Sequence, residues 1–304
     1  MFQKLIFPIS FVTKVSNSCS LRENSTRIAV GIFLRLTKFF SSVCIAGSAV
    51  AGFCIGGGKI QSHALWLFAG LLFLAMGSGA LNQIQEIDAD RKIDRTKHRP
   101  LPAGEISPRF AGIISILLLS LGLSLLFVFQ EMKIGFFGIL GVAIYNGVYT
   151  PLKTKVTWAI FLGAFAGCLP PIMGFLAGGG SETDRMCFFL VGLSYFWQVA
   201  HFCILVLTYE KEYEKSEIGN LYHEIGGYGI GILAMVSMGT CFLTVFGRDL
   251  HFPNFLFWCG VCLLSSIFFG SRKIFQNANF FHGAFLLWNA LLGGGILSIA
   301  QGCF

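Results

Sequence analysis

Long apolar runs recur along this 304-residue chain, and they constrain its fold more than any other feature. A run of about 18 or more apolar residues matches the roughly 30 Å of hydrocarbon that a helix must cross in a bilayer. Only 12% of the residues are charged, against about 25% in a typical soluble domain, so the chain cannot cover a large wet surface. The sequence therefore predicts an all-α, polytopic bundle that is integral to a lipid bilayer.

The apolar runs predict about nine transmembrane helices. Their approximate ranges are 38–58, 62–82, 108–129, 134–150, 156–178, 186–208, 226–246, 253–270 and 281–303. With nine spans, the connections that begin near Gln83, Pro151, Tyr209 and Ser271 share a side with the N-terminus. That side holds 18 of the 22 Lys and Arg residues, which predicts a cytoplasmic N-terminus by the positive-inside rule. Because topology explains the formal charge of +7, no nucleic-acid partner is expected.

For the N-terminal segment and for the cysteines, the simpler of two interpretations is favoured. Residues 1–34 are predicted as an N-terminal tail and residues 35–304 as a single transmembrane domain. Within Met1–Ser25 the apolar stretch is short, which favours a cytoplasmic tail or an early start codon over a signal peptide. Most of the ten cysteines lie in or beside apolar runs, where Cys behaves as a small hydrophobe. The pair Cys259 and Cys262 is interpreted as packing rather than redox or zinc chemistry, since no second pair lies nearby.

A cluster of acids at the end of the second predicted span is the strongest sign of chemistry. Asn82, Glu86, Asp90 and Asp94 recur every four residues, and on a helix this spacing predicts one stripe of oxygen ligands. Asp88 is expected to point away from the stripe. Clustered carboxylates repel each other unless a cation lies among them, and Mg²⁺ commonly bridges a few carboxylates to substrate phosphates.

Basic residues follow the acids directly, at Arg95, Lys97 and Arg99, before Pro100 and Pro102 stop any helix. Guanidinium groups bind phosphate oxygens and stay charged at physiological pH. Acids followed by bases are what a metal-bridged diphosphate requires. A solvated loop with salt bridges is the alternative interpretation, and the fourfold spacing at a membrane boundary favours the diphosphate site.

The motif N-x-x-x-[DE]-x-x-x-D followed by R-T-x-x-R-P-L-P resembles the signature of the UbiA-type intramembrane prenyltransferases. Within that superfamily, the sequence is most similar to the protoheme IX farnesyltransferases (haem O synthases). The segments that carry this similarity are Leu36–Lys38, Asn82–Glu86, Arg95–Pro102, Tyr149–Lys153, Gly167–Gly174, Phe196–Phe202 and the Glu-Tyr pair that ends at Tyr213. The chain departs from the family in its second acidic motif, which lacks Asp, and at Phe39, where a Pro is usual.

The resemblance implies a Mg²⁺ site, a diphosphate site and a set of catalytic residues. The expected metal ligands are Asn82, Glu86, Asp90 and Glu212. The expected diphosphate-binding residues are Arg95, Arg99, Tyr149 and Lys153. The expected catalytic residues are Asn82, Glu86, Asp90, Lys153 and His201. For His201, which matches a His of the haem branch, the alternative is a neutral His within a span that bonds a backbone carbonyl.

The activity that the resemblance implies is Mg²⁺-dependent transfer of a farnesyl group from farnesyl diphosphate to protohaem IX, forming haem O, in the cytoplasmic (inner) membrane. Prenylation of an aromatic acid or quinone precursor is the alternative among enzymes, and an Asp-rich second motif would have favoured it. An ion-coupled transporter is the alternative from another class. Transporters place ionisable groups near the midplane and often carry internal repeats, whereas here the acids cluster at one membrane face and no fixed-period repeat is visible.

Overall fold

The computed structural model describes residues 27–153, 155–156 and 159–208, with side chains up to Cys203, and the isolated residues Gly229 and Val236. All regular structure in these residues is helical. A π-helical segment, Ala143–Tyr149, joins two of the helices. The helices in chain order are α1 (Arg27–Leu36), α2 (Phe39–Ile55), α3 (Ser62–Gln85), α4 (Ile87–Lys92), α5 (Pro108–Phe129), α6 (Met132–Val142), α7 (Thr150–Leu152), α8 (Ala159–Ala177) and α9 (Arg185–Thr208).

Six predicted spans are present in the described part of the chain, within a few residues of their predicted bounds. Five are long and apolar enough to cross a membrane singly, counting Met132–Leu152 as one span. Helices α1 and α2 meet that test together and are bent by 54°. The chain is thus an all-α, multi-pass membrane protein. Apart from the isolated residues Gly229 and Val236, the three predicted spans after residue 225 lie outside the described residues, as does the pair Cys259 and Cys262.

The first helix begins earlier than the sequence analysis predicts. Helix α1 occupies Arg27–Leu36, mostly within the segment predicted as a tail. Arg35 forms an ion pair with Glu105, and Leu36 is fully buried against Ala80, Leu101 and Ala111. The end of α1 is therefore packed against α3, α5 and the connection that leads into α5.

Among the five described helices that could each span a membrane alone, α3 and α8 are the most enclosed. Helix α3 packs against α2, α5 and α6, and half of its apolar window is buried, against 17% for α5. A Cβ at Gly70 would lie 2.8 Å from the Leu126 side chain of α5, and one at Gly122 would lie 2.6 Å from the backbone of Leu74 in α3. Small residues at a helix crossing allow the two backbones to approach closely. The acids therefore follow a helix that its neighbours pack closely.

Helices α2 and α8 run in the same direction, and glycines lie where the two helices contact each other. A Cβ at Gly52 would overlap the backbone of Pro171 in α8, and one at Gly174 would overlap the carbonyl of Ala49 in α2. Both glycines belong to a pattern, G-F-x-x-G-G-G, that occurs at residues 52–58 and again at 174–180. Within each copy, the middle glycine of the triplet has a positive φ, which is how a helix commonly ends. The sequence analysis missed this pair of short copies because they form no fixed-period repeat.

The prediction of one continuous helical stripe from Asn82 to Asp94 is wrong. Helix α3 ends at Gln85, and Glu86 has φ −110° and ψ 9° before the short helix α4 begins. Beyond α4, Ile93 is extended and buried, so the chain turns before Asp94. The Asp94 side chain is 79% exposed and pairs with Lys97. A spacing of four residues places side chains on one face only within a continuous helix, and here the helix ends at Gln85.

Candidate active site

A cavity of about 910 Å³ lies among the described helices. Most of its wall is apolar and comes from α2, α3, α6, α8 and α9, as at Ile45, Leu74, Phe137, Pro171 and Leu190. Its charged wall residues are Lys38, Glu86, Arg95, Arg99 and Lys153. Four cations and one carboxylate therefore face a space that is otherwise mainly apolar. Such a space suits a ligand with an anionic head and an apolar chain.

Glu86 lies at the centre of the charged end. Its side chain is only 8% exposed; one oxygen pairs with Lys153 Nζ, and Oε2 lies 3.9 Å from Arg99 Nη1. Lys153 thus compensates the charge of Glu86. Each carboxylate oxygen can accept more than one ligand, so Glu86 can still bind a further cation.

Asp90 lies behind Arg99 rather than in the cavity wall. Its two oxygens accept from Arg99 Nη1 at 2.9 and 2.7 Å, and its side chain is 6% exposed. The loop that carries Arg99 folds back because Thr96 Oγ1 donates to the carbonyl of Asp90 at 3.0 Å. Asp88, two residues earlier, is 92% exposed and pairs with Arg91, so its predicted outward direction is confirmed.

Asn82 completes the cluster from α3. Its side chain is buried, its Oδ1 accepts from Lys38 Nζ at 2.5 Å, and its Nδ2 donates to Thr150 Oγ1 at 3.1 Å. Among the described residues, Lys38 is the only non-glycine with a positive φ (50°). A lysine in this conformation is strained unless its surroundings hold it there. The sequence analysis gave Lys38 no role, although it begins an apolar run and belongs to a segment that carried the family resemblance.

The remaining predicted residues lie around the same cavity. Lys153 Nζ lies 5.6 Å from the centre of the Tyr149 ring. The His201 ring stacks on Trp197, with centroids 5.4 Å apart and planes 1° apart. Both of these α9 residues line the cavity, as does Arg95. Glu212, the predicted ligand from the second acidic motif, lies outside the described residues.

The structure therefore brings the described candidates together from five separate segments of the chain. Asn82, Glu86, Asp90, Arg99 and Lys153 form one polar cluster. Comparison with known protein families matches residues 43–291 to the UbiA prenyltransferase family.

The chain belongs to the UbiA prenyltransferase family. This UbiA family member is similar to several proteins named protoheme IX farnesyltransferase. It is 37% identical over 159 residues to the one from Geobacter sulfurreducens, which covers 52% of this chain and 58% of that relative. It is 36% identical over 211 residues to the one from Christiangramia forsetii, which covers 69% of each. The chain thus spans about three fifths to two thirds of the length of these relatives.

Solved structures of UbiA family members share the fold. One is described as digeranylgeranylglyceryl phosphate synthase, with a TM-score of 0.67 and 16% identity over 90% of this chain and 99% of that one. Another is a UbiA homologue from Archaeoglobus fulgidus bound to GPP and Mg²⁺, with a TM-score of 0.59 and 19% identity over 89% of this chain and 99% of that one. At these identities the comparison establishes the fold of this UbiA protein.

The donor set of the charged end is compatible with Mg²⁺. This ion commonly takes one or two carboxylates and completes its shell with substrate phosphate oxygens and water. In the described part of this UbiA protein, no three His, Cys, Asp or Glu side chains are grouped to enclose a metal by themselves. The Glu86 carboxylate and the Asn82 amide both face the cavity. The residues therefore fit an ion shared with a substrate better than a closed protein site.

Proposed function

We propose that this protein is an intramembrane prenyltransferase that transfers a farnesyl group from farnesyl diphosphate to protohaem IX and so forms haem O. The observation that carries the proposal is a cavity whose cationic end adjoins a mainly apolar interior. An allylic diphosphate has an anionic head, which matches the cationic end, and an apolar tail, which matches the apolar interior. The names of the relatives supply the choice of farnesyl group and of haem.

The cations of the cavity would bind the diphosphate. Lys38, Arg99 and Lys153 each contact an oxygen ligand of the cluster, and Arg95 lies in the same wall. As the allylic carbon–oxygen bond lengthens, negative charge grows on the departing diphosphate. Fixed cations aimed at that charge stabilise the transition state more than the ground state, which is what accelerates the reaction.

The carboxylates would hold the metal. Asn82, Glu86 and Asp90, with Glu212, are the proposed ligands of Mg²⁺, which when bound neutralises charge on the diphosphate. The described ligands are each paired with a basic side chain: Asn82 with Lys38, Glu86 with Lys153, and Asp90 with Arg99. These pairs offset the mutual repulsion of the carboxylates.

The apolar part of the cavity would hold the farnesyl chain and exclude water. The carbon released from diphosphate is cationic, so a dry wall protects it from early capture by water. The vinyl group of the haem donates its electron pair to that carbon, and the diphosphate leaves with the electrons of the broken bond. Water then adds to the cation formed on the former vinyl group and loses a proton, which gives a hydroxyethylfarnesyl substituent.

The stacked rings of His201 and Trp197 would contact the acceptor. Together they present a flat aromatic surface in the wall of the cavity, which suits a planar ring system. His201 is also the candidate to accept the proton that water loses. We further propose that the charged end faces the cytoplasm in the inner membrane, as the distribution of Lys and Arg predicts.

The test is a prenyl-transfer assay with membranes that contain the full-length protein. Radiolabelled farnesyl diphosphate and Mg²⁺ are supplied with protohaem in one reaction and with 4-hydroxybenzoate in another. We expect label on the haem. Asp90→Asn should lower the rate by about 10²–10³-fold, because it removes a buried charge that holds Arg99. Asp88→Asn is the matched control and should leave the rate unchanged, since its side chain is 92% exposed.

Other outcomes of this assay separate the parts of the proposal. Label on 4-hydroxybenzoate alone would keep prenyl transfer and discard the haem acceptor. Label on neither acceptor, together with no binding of farnesyl diphosphate, would overturn the whole proposal. A magnesium titration of Asp90→Asn tests the role of that residue. If Asp90 binds the metal, its loss should raise the Mg²⁺ concentration needed for activity. If Asp90 only holds Arg99, its loss should raise the KM for farnesyl diphosphate instead.

A further inference from the structure

The two lysines of the charged end come from different segments of the chain, and neither belongs to α3. Lys38 comes from the corner between α1 and α2 and contacts Asn82. Lys153 follows α7 and contacts Glu86. Lysine side chains are long and flexible. Each lysine can therefore keep its contact only if the backbone segment that carries it is held in place. In each segment, a buried amide side chain supplies that fixation.

Gln83 fixes the corner that carries Lys38. It follows Asn82 in α3, is 1% exposed, and its Nε2 donates to the carbonyls of Arg35 and Leu36 at 2.8 and 2.9 Å. These carbonyls belong to the end of α1, where the last turn of a helix lacks partners for its own carbonyl groups. The bonds therefore tie to α3 the residues that directly precede the strained lysine.

Asn146 fixes the segment that leads to Lys153. It is 3% exposed; its Oδ1 accepts from Ser78 Oγ at 2.6 Å, and its Nδ2 donates to the Ser78 carbonyl at 3.1 Å and to Gln85 Oε1 at 3.2 Å. All three of these bonds reach α3. Asn146 is thus a buried attachment between the π-helical segment and the helix that carries Asn82.

The π-helical segment itself explains why this attachment matters. The Thr150 amide donates to the Tyr145 carbonyl, five residues back, and Pro151 has no amide hydrogen to continue that spacing. Gln85 Nε2 donates to the Asn146 carbonyl instead, at 2.8 Å. An extra residue in a turn rotates all later side chains by roughly 100°. The direction of Lys153 therefore depends on the π-helical segment that Asn146 holds.

We propose that Gln83 and Asn146 are paired positioning residues, which set Lys38 against Asn82 and Lys153 against Glu86. Neither residue touches the reacting atoms. Each acts through one lysine, and the two act independently because they hold different segments. The catalytic side of this inference rests on the proposed prenyl-transfer function, whereas its structural side does not.

The structural side is tested by hydrogen–deuterium exchange of the purified full-length protein. Gln83→Met and Asn146→Leu keep the side-chain volume approximately and remove the donors. We expect faster exchange confined to residues 36–42 in the first variant and to residues 147–153 in the second. Gln130→Met is the matched control, because Gln130 also donates to a backbone carbonyl, that of His63 at 2.9 Å, but this bond is exposed and far along the chain from both lysines.

The catalytic side is tested by double-mutant cycles on the KM for farnesyl diphosphate. Gln83→Met and Asn146→Leu should each raise this KM by roughly 10–100-fold, the usual range for residues that orient a ligand-binding group. Gln83→Met should have no further effect in Lys38→Met, but its full effect in Lys153→Met. Asn146→Leu should show the reverse pattern.

Each result then has a definite meaning. Faster exchange throughout the protein, or the same effect of Gln83→Met in both lysine backgrounds, would show a general structural role and overturn the proposal. Should Asn146→Leu fail to fold, Ser78→Ala removes one of its bonds and makes the same local prediction. Absence of prenyl transfer in the wild-type protein would refute the proposed function, while the exchange experiment would still decide whether the two amides hold their segments.

Discussion

Lysine–glutamate pairs lie at both ends of the described bundle, and they differ in burial. At the charged end, the side chains of Lys153 and Glu86 are 25% and 8% exposed. At the opposite end, Lys133 lies 3.1 Å from Glu131 and 3.3 Å from Glu182, whose side chains are 67% and 57% exposed. Water screens the exposed pairs, so they contribute little. Removing one partner of a buried pair leaves an uncompensated charge, which typically costs about 3–5 kcal/mol.

The comparison shows that charge alone does not mark the site. Both ends combine lysine with glutamate at the ends of membrane helices. At the opposite end, the tight packing of α2 on α8 comes from glycines, and the ion pairs lie on the surface. At the charged end, the paired side chains are at most 25% exposed, and they adjoin the cavity.

The largest difference should appear when Glu86 and Glu182 are each replaced by the neutral side chain of Gln. Glu86→Gln should lower prenyl transfer by about 10²–10³-fold, because it removes a proposed Mg²⁺ ligand and the buried partner of Lys153. Glu182→Gln should leave the rate unchanged. The assay is initial-rate transfer from radiolabelled farnesyl diphosphate in membranes with matched protein content. Similar losses in both variants would contradict the distinction between the two ends.

A smaller effect, on stability rather than rate, is expected where α2 crosses α8. Gly174→Ala places a methyl group against the Ala49 carbonyl, and overpacking of this kind typically costs about 1–3 kcal/mol. The melting temperature in detergent should therefore fall. Gly112→Ala in α5 is the control, since a Cβ there meets nothing within 4 Å. An unchanged melting temperature for Gly174→Ala would show that the helices can separate at no cost.

The smallest effect is expected at Lys133. The backbone amide of Glu182 and then Lys133 hold the pKa of the Glu182 carboxyl below its ordinary 4.5. A lowered pKa means that the pair stabilises the protein above pH 4.5 and loses that contribution as the pH falls further. Lys133→Met should therefore melt slightly below the wild type at neutral pH, and this difference should shrink below pH 4.5. A difference that stays constant with pH would show that packing, not charge, is lost.

Much of the fold could be predicted because its cause is local. A span needs only enough consecutive apolar residues to match the hydrocarbon, so six spans are found close to their predicted ranges in the described residues. The cluster of Asn82, Glu86 and Asp90 was also predicted, although through a continuous helix that does not exist. Glu86 and Asp90 instead meet through Arg99, which contacts both.

The features that the sequence did not reveal depend on distant segments. Lys38 and Asn82 are 44 residues apart, and no local pattern relates them. The two copies of G-F-x-x-G-G-G were present in the sequence, but that their glycines face each other follows only from the packing of α2 on α8.

The sequence by itself determined that this chain crosses the membrane several times, and it indicated which short segment carries acids and bases for a diphosphate. These properties follow from composition and from spacing along the chain. Only the tertiary structure decided that Glu86 and Asp90 are buried while Asp88 and Asp94 are exposed. The physical reason is that burial of an acid depends on the cations and loops that surround it, and these arrive from other helices.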